Sequence, residues 1–161
     1  MNNAAGWIFK TEPSTYSADD LRREKRCRWE GVRNYQARNF LRQARVGDPV
    51  ALWHSGSPRS GVAGLARVLK AAYPDPTAFD PTHGSFDPKS DPANPRWFSV
   101  DLGFVDGLEP CRSEALESAR LRKEPALAGL LLFRQGRLSV CPVDAAAWKR
   151  LSALAGWGKK A

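Results

Sequence analysis

Residues 74–96, PDPTAFDPTHGSFDPKSDPANPR, restrict the fold more than any other stretch, because they hold six of the chain's twelve prolines. Proline fixes φ and has no backbone N–H to donate, so this segment sustains neither a helix nor a central ladder strand. Whatever surrounds it must close around a long interruption, either an ordered excursion or a mobile flap. Phe79 and Phe86 argue that parts of it are anchored.

The flanking chain reads as short strands and short helices. Trp7, Ile8 and Phe9 favour a pleated, packed surface, and Pro13 stops it, so a strand is expected over Gly6–Thr11. Ser14 or Ser17 then caps a helix through Leu21, and the basic run REKRCR reads as a solvated loop or a phosphate contact. Asn34 is a credible N-cap for a helix whose apolar face is Ala37, Phe40, Leu41 and Ala44, with Arg38, Arg42 and Arg45 on another face. VALWHS and VAGLARVLKAAY read as strands around a Gly/Ser/Pro turn, and RWFSVDLGFV alternates as a half-buried strand. A short helix is expected from Ser113, a packed turn or helix end over Leu127–Phe133, a strand through Val140 and a final helix capped by Asp144.

These pieces have no βαβ rhythm. An α+β or mainly β architecture follows: one domain over residues 6–155, a highly curved antiparallel sheet or barrel of five or six strands with short flanking helices, and a short basic tail at 156–161. A 42% hydrophobic fraction in 161 residues supports one core of that size.

A net charge of +8 favours a polyanionic partner. Residues 1–45 carry ten Lys/Arg against five Asp/Glu and residues 110–161 ten against four, whereas residues 74–109 carry two against seven. Any basic face is therefore built from the two ends of the chain. Cys27, Cys111 and Cys141 are too scattered for a disulfide framework or a thiolate metal site, and two histidines without a ligand cluster make no metal centre. With no long apolar run and no leader pattern, a cytoplasmic protein with reduced thiols, no membrane association and no cofactor is expected.

The densest chemistry lies in Trp29–Asn39, WEGVRNYQARN, which mixes rings that stack with side chains that read hydrogen-bonding edges. Together with WIFKTEPSTYS, GDPVALWHS, GVAGLARV, AYPDPTAFD, FDPKSDPANPRW, SVDLGFV and LLFRQGRLSVCPV, this stretch resembles the EVE-domain family of the PUA-like superfamily over nearly the whole chain. The resemblance implies a PUA-like barrel and non-catalytic binding of DNA or RNA through a pocket for a modified base, with modified cytosine favoured. Trp53 stands where members of that family often have tyrosine.

The ligand-binding candidates are Trp29, Arg33, Asn34, Tyr35, Asn39, Trp53, His54, Ser55 and Trp97, and the phosphate candidates are Lys10, Arg38 and Arg42. Helix capping competes for Asn34, core packing for each tryptophan, and an internal ion pair, for instance with Glu12, for Arg33. His54-Ser55 is a poor hydrolytic pair, because adjacent residues are hard to orient and no separate acid is evident. An enzyme acting on a nucleotide through Glu12 or His54 and a protein-interaction domain remain the alternatives.

Overall fold

A computed structural model describes residues 3–56, 59–107 and 116–157. In chain order the elements are β1 (Gly6–Thr11), α1 (Ala18–Glu24), β2 (Arg26–Trp29), α2 (Tyr35–Leu41), β3 (Pro49–His54), β4 (Gly61–Pro74), β5 (Phe98–Gly107), α3 (Ser118–Leu121), α4 (Leu131–Arg134), β6 (Val140–Val143) and α5 (Ala145–Ala155). The helix starts are set locally. Ser17, Asn34 and Asp144 each take an N–H three residues ahead, from Asp20, Ala37 and Ala147 respectively. At α1 the exchange is reciprocal, since Asp20 also accepts the N–H of Ser17.

One six-stranded sheet runs in the order β2-β5-β4-β3-β1-β6. The fold is mixed α+β, a multi-stranded sheet with flanking helices. β1 pairs with β3 in parallel, Trp7 opposite Val50 and Thr11 opposite His54, so the expectation of a purely antiparallel sheet is corrected. The crossover that makes this pairing possible is the α1-β2-α2 segment, with β2 placed on β5 at the far end of the sheet. The fourteen-residue β4 spans the middle of the sheet, pairing with β3 on one side and β5 on the other. Register shifts at Leu52/Trp53, Leu65/Ala66 and between Val68 and Tyr73 bend these strands and coil the sheet. The core holds Trp7, Ile8, Phe9, Leu21, Leu41, Leu52, Leu102 and Leu151, all essentially without solvent contact.

Three boundaries differ from the sequence reading. Arg26, Cys27 and Arg28, expected in a loop, form β2, because alternation along β5 offers an open ladder. The last strand begins at Val140 and continues to Val143, paired to β1 through Phe9–Val140 and Gly6–Val143. Packing continues past residue 155: Trp157 is buried and stacks on Trp148 with ring centroids 5.8 Å apart. The start expected at Ser113 for a helix lies outside the described residues, and the helix that follows is Ser118–Leu121. The remainder of the basic tail, 158–161, also lies outside them.

The Pro-rich segment is an ordered excursion. Asp75 caps a 3-10 turn over Pro76–Phe79, and Asp80, Asp87 and Asp91 each accept an N–H two residues on, from Thr82, Lys89 and Ala93. Where β4 begins, the backbone of residues 116–117 comes close: a Cβ on Gly61 would lie 2.2 Å from the Leu116 carbonyl oxygen and 2.8 Å from the Glu117 Cα. Backbone cannot swing aside as a side chain can. Gly61→Ala is therefore expected to destabilise by about 1–3 kcal/mol, measured as a lower denaturation midpoint; an unchanged midpoint would show that this junction yields freely.

Candidate functional site

The strand order has two ends, and no ladder among the described residues joins β2 to β6. The sheet curls far enough for those ends to face one another: the Phe9 ring of β1 lies 5.6 Å from the Trp29 ring of β2. A cavity of about 690 Å³ opens at this seam, within the roughly 300–1,000 Å³ span of small-molecule sites. One wall is β2 and the turn after it, Cys27 through Asn34; the other is Lys10 and Thr11 of β1 with Arg137 and Ser139 leading into β6. Thr15, Tyr16 and Glu24 complete it.

Trp29 is 8% exposed and serves both core and cavity. Tyr16 meets it edge-on, with centroids 6.3 Å apart, and donates its phenol to Glu24 Oε2 at 2.7 Å. Burial, reinforced by that donation, pushes the Tyr16 phenol upward, so it stays protonated. Cys27 is likewise pushed up to about 11, chiefly by burial, which leaves an unreactive thiol in the wall. Lys10 donates to the Gly136 carbonyl at 2.6 Å, and burial lowers its pKa.

The turn between β2 and α2 is held from behind by the Pro-rich segment. Gly31 has φ +79°, a left-handed conformation that disfavours any side chain, and its N–H reaches Asp75 Oδ2 at 2.9 Å. Arg33 binds the same Asp75 oxygen at 2.9 Å, and its guanidinium also reaches the Ser85 carbonyl at 2.7 Å and Thr77 Oγ1 at 3.2 Å. Asp75 is fully buried. Burial alone would raise its pKa, but hydrogen bonds from Gly31, Thr77 and Arg33 outweigh that and hold it below the usual carboxylate range. The acidic partner of Arg33 is thus Asp75, not Glu12, because the excursion folds back beneath the signature turn.

The structure brings Lys10, Trp29, Arg33 and Asn34 together at the cavity. Asn34 uses its Oδ1 to cap α2, and its Nδ2 has no hydrogen bond among the described residues. The other candidates lie outside the lining. Tyr35 stacks on Trp97 with centroids 4.9 Å apart, and Trp97 donates to Asp87, so both belong to the excursion's packing. Asn39 accepts from Arg38 at 2.8 Å, Arg38 also reaches the Arg96 carbonyl, and Arg42 lies over the Phe98 ring. Trp53 is buried edge-on to Phe133.

His54 Nε2 accepts the N–H of Ala18 at 3.0 Å, at the start of α1, and burial lowers its pKa. The Ser55 N–H extends the ladder to Thr11. Neither His54 nor Glu12 lines the cavity, so the enzyme alternative built on them has no geometric basis there. Sequence reasoning missed Tyr16, Glu24, Cys27 and Arg137 as lining residues. Tyr16 and Arg137 lie in the TYS and RQGRLSV motifs, the only signal that could have singled them out.

A second cavity of about 490 Å³, between α2, β6 and α5, has Asp144 as its one charged lining residue among the described residues. That charge has the wrong sign for a polyanion.

The EVE-domain profile matches residues 5–154. Human thymocyte nuclear protein 1 is 34% identical over 158 residues, covering 88% of this chain and 70% of that protein. Among solved structures, a hypothetical protein from Leishmania major superposes with TM-score 0.88 at 39% identity, covering 98% of both chains. The human THYN1 protein, solved in complex with DNA containing 5-methylcytosine, superposes with TM-score 0.84 at 32% identity, covering 92% of this chain and 96% of that one. On the profile, the identity and the shared sheet together, the chain belongs to the EVE-domain family.

Proposed function

We propose that this chain is a non-catalytic nucleic-acid binder that takes a modified base, modified cytosine foremost, into the seam cavity. The observation that carries this is the cavity's make-up: an aromatic corner of Trp29 and Tyr16 beside the Asn34 amide, with the cations Lys10 and Arg137 on the other wall. A ring finds apolar surface there, and its heteroatoms find edges to pair with. The relative solved with 5-methylcytosine DNA supports the same ligand class. A base inside a duplex reaches such a cavity only by leaving the stack, at a cost of a few kcal/mol, least for single strands.

Titration with matched single- and double-stranded oligonucleotides, with and without 5-methylcytosine, tests the reading. Tighter binding to the modified members is expected; equal or absent binding across the set overturns it. Asn34→Ser separates reading from folding. Serine caps a helix about as well as asparagine, so stability changes by only a few tenths of a kcal/mol, while the free amide donor is lost. A several-fold fall in affinity at an unchanged denaturation midpoint is expected, and full affinity would remove Asn34 from the site.

A further inference from the structure

We infer that the turn ahead of β6 forms a phosphate-binding lip, with Arg137 and Lys10 as its cations, that takes the backbone of the strand whose base enters the seam cavity. The inference rests on the base-binding reading but makes its own claim about where the polyanion runs. Among the described residues four cations line the cavity, and two are already matched to carboxylates: Arg28 to Glu30 at 2.7 Å and Arg33 to Asp75 at 2.9 Å. Lys10 and Arg137 have no ion pair among the described residues. They share one wall.

That wall is built, not incidental. Lys10 grips the turn twice, its Nζ on the Gly136 carbonyl at 2.6 Å and its N–H on the Ser139 carbonyl at 2.8 Å, with Arg137 exposed between the two anchors. A nucleotide with its base in the cavity leaves its sugar and flanking phosphates at the mouth. Among the described residues that line the cavity, the positive charge without a carboxylate partner is then this lip. Arg38 and Arg42 on α2 are less suited, because the Arg38 guanidinium is spread over Asn39, the Arg96 carbonyl and the Tyr35 ring, Arg42 covers Phe98, and neither lines the cavity. Lys10 and Arg137 are 127 residues apart in the chain, which is why no local pattern pairs them.

The experiment is a salt series on wild type, Arg137→Ala and Arg42→Ala with 5-methylcytosine and unmodified oligonucleotides. Losing one phosphate contact reduces the slope of log K against log salt by about 0.9 on duplex or about 0.7 on single strands. Arg137→Ala is expected to show that reduction with its modified-to-unmodified ratio kept, and Arg42→Ala to retain the wild-type slope. An unchanged slope for Arg137→Ala, or an equal loss for Arg42→Ala, overturns the lip. A wild-type ratio of one, with the slope still falling in Arg137→Ala, supports the lip and overturns base recognition. No binding to any oligonucleotide overturns both.

Discussion

Arg33→Ala lowers the free energy of unfolding by about 3–5 kcal/mol, seen as a fall in the denaturation midpoint at unchanged slope. Among the described residues the guanidinium is the only ion-pair partner of the fully buried Asp75, and it also ties the Ser85 carbonyl and Thr77 to the turn after β2. Without it the carboxylate keeps hydrogen bonds from Gly31 and Thr77 but loses its counter-charge. The loss is large against a total of roughly 5–15 kcal/mol for a domain.

The pH dependence follows from the same contact. The folded pKa of Asp75 is depressed, so its stabilisation is fully present above its ordinary value of 3.8 and disappears as pH falls through the folded value below that. With Arg33 gone the depression shrinks, and acid unfolding starts at a higher pH. A loss under about 1 kcal/mol would show that the pair behaves as a surface ion pair and that the excursion is held by its own turns.

Trp29→Ala is expected to cost about 3–5 kcal/mol of stability, because the indole is 8% exposed and packs between Phe9 and Tyr16. Trp29→Phe retains a ring in that place and is the informative variant for binding. It should stay folded while weakening modified-base affinity by about 1 kcal/mol, at the low end of the 1–3 kcal/mol of base stacking. Denaturant titration and oligonucleotide titration on the same samples separate the two effects. Unimpaired binding by Trp29→Phe would leave Trp29 as a core residue that merely borders the cavity.

Much of the local structure was legible from spacing. Ser17, Asn34 and Asp144 cap their helices through contacts three residues long, and the strand over Gly6–Thr11 has the bounds expected from its aromatic residues and Pro13. The signature placed Trp29, Arg33 and Asn34 beside one another, and they share the cavity. Tyr35 and Asn39 sit in the same signature but turn away, because the helix that begins at Asn34 carries them toward the Pro-rich segment. Trp53 and Trp97 could not be sorted by composition. A tryptophan on a strand suits a core and a base equally, and only their partners, Phe133 and Asp87, decide.

By itself the sequence determined most of the element types, β2 being the exception, and with them the caps, the Pro-rich interruption, the charge at the chain's two ends and the family, because each depends on neighbours within a few residues or on a contiguous motif. Only the tertiary structure decided that β1 runs parallel to β3, that Arg33 answers Asp75 rather than Glu12, and that Tyr16, Trp29 and Arg137 line one cavity. Those choices depend on how far a bent sheet curls before its ends meet. That is set by register shifts and long-range packing summed over the whole core, which no local pattern contains.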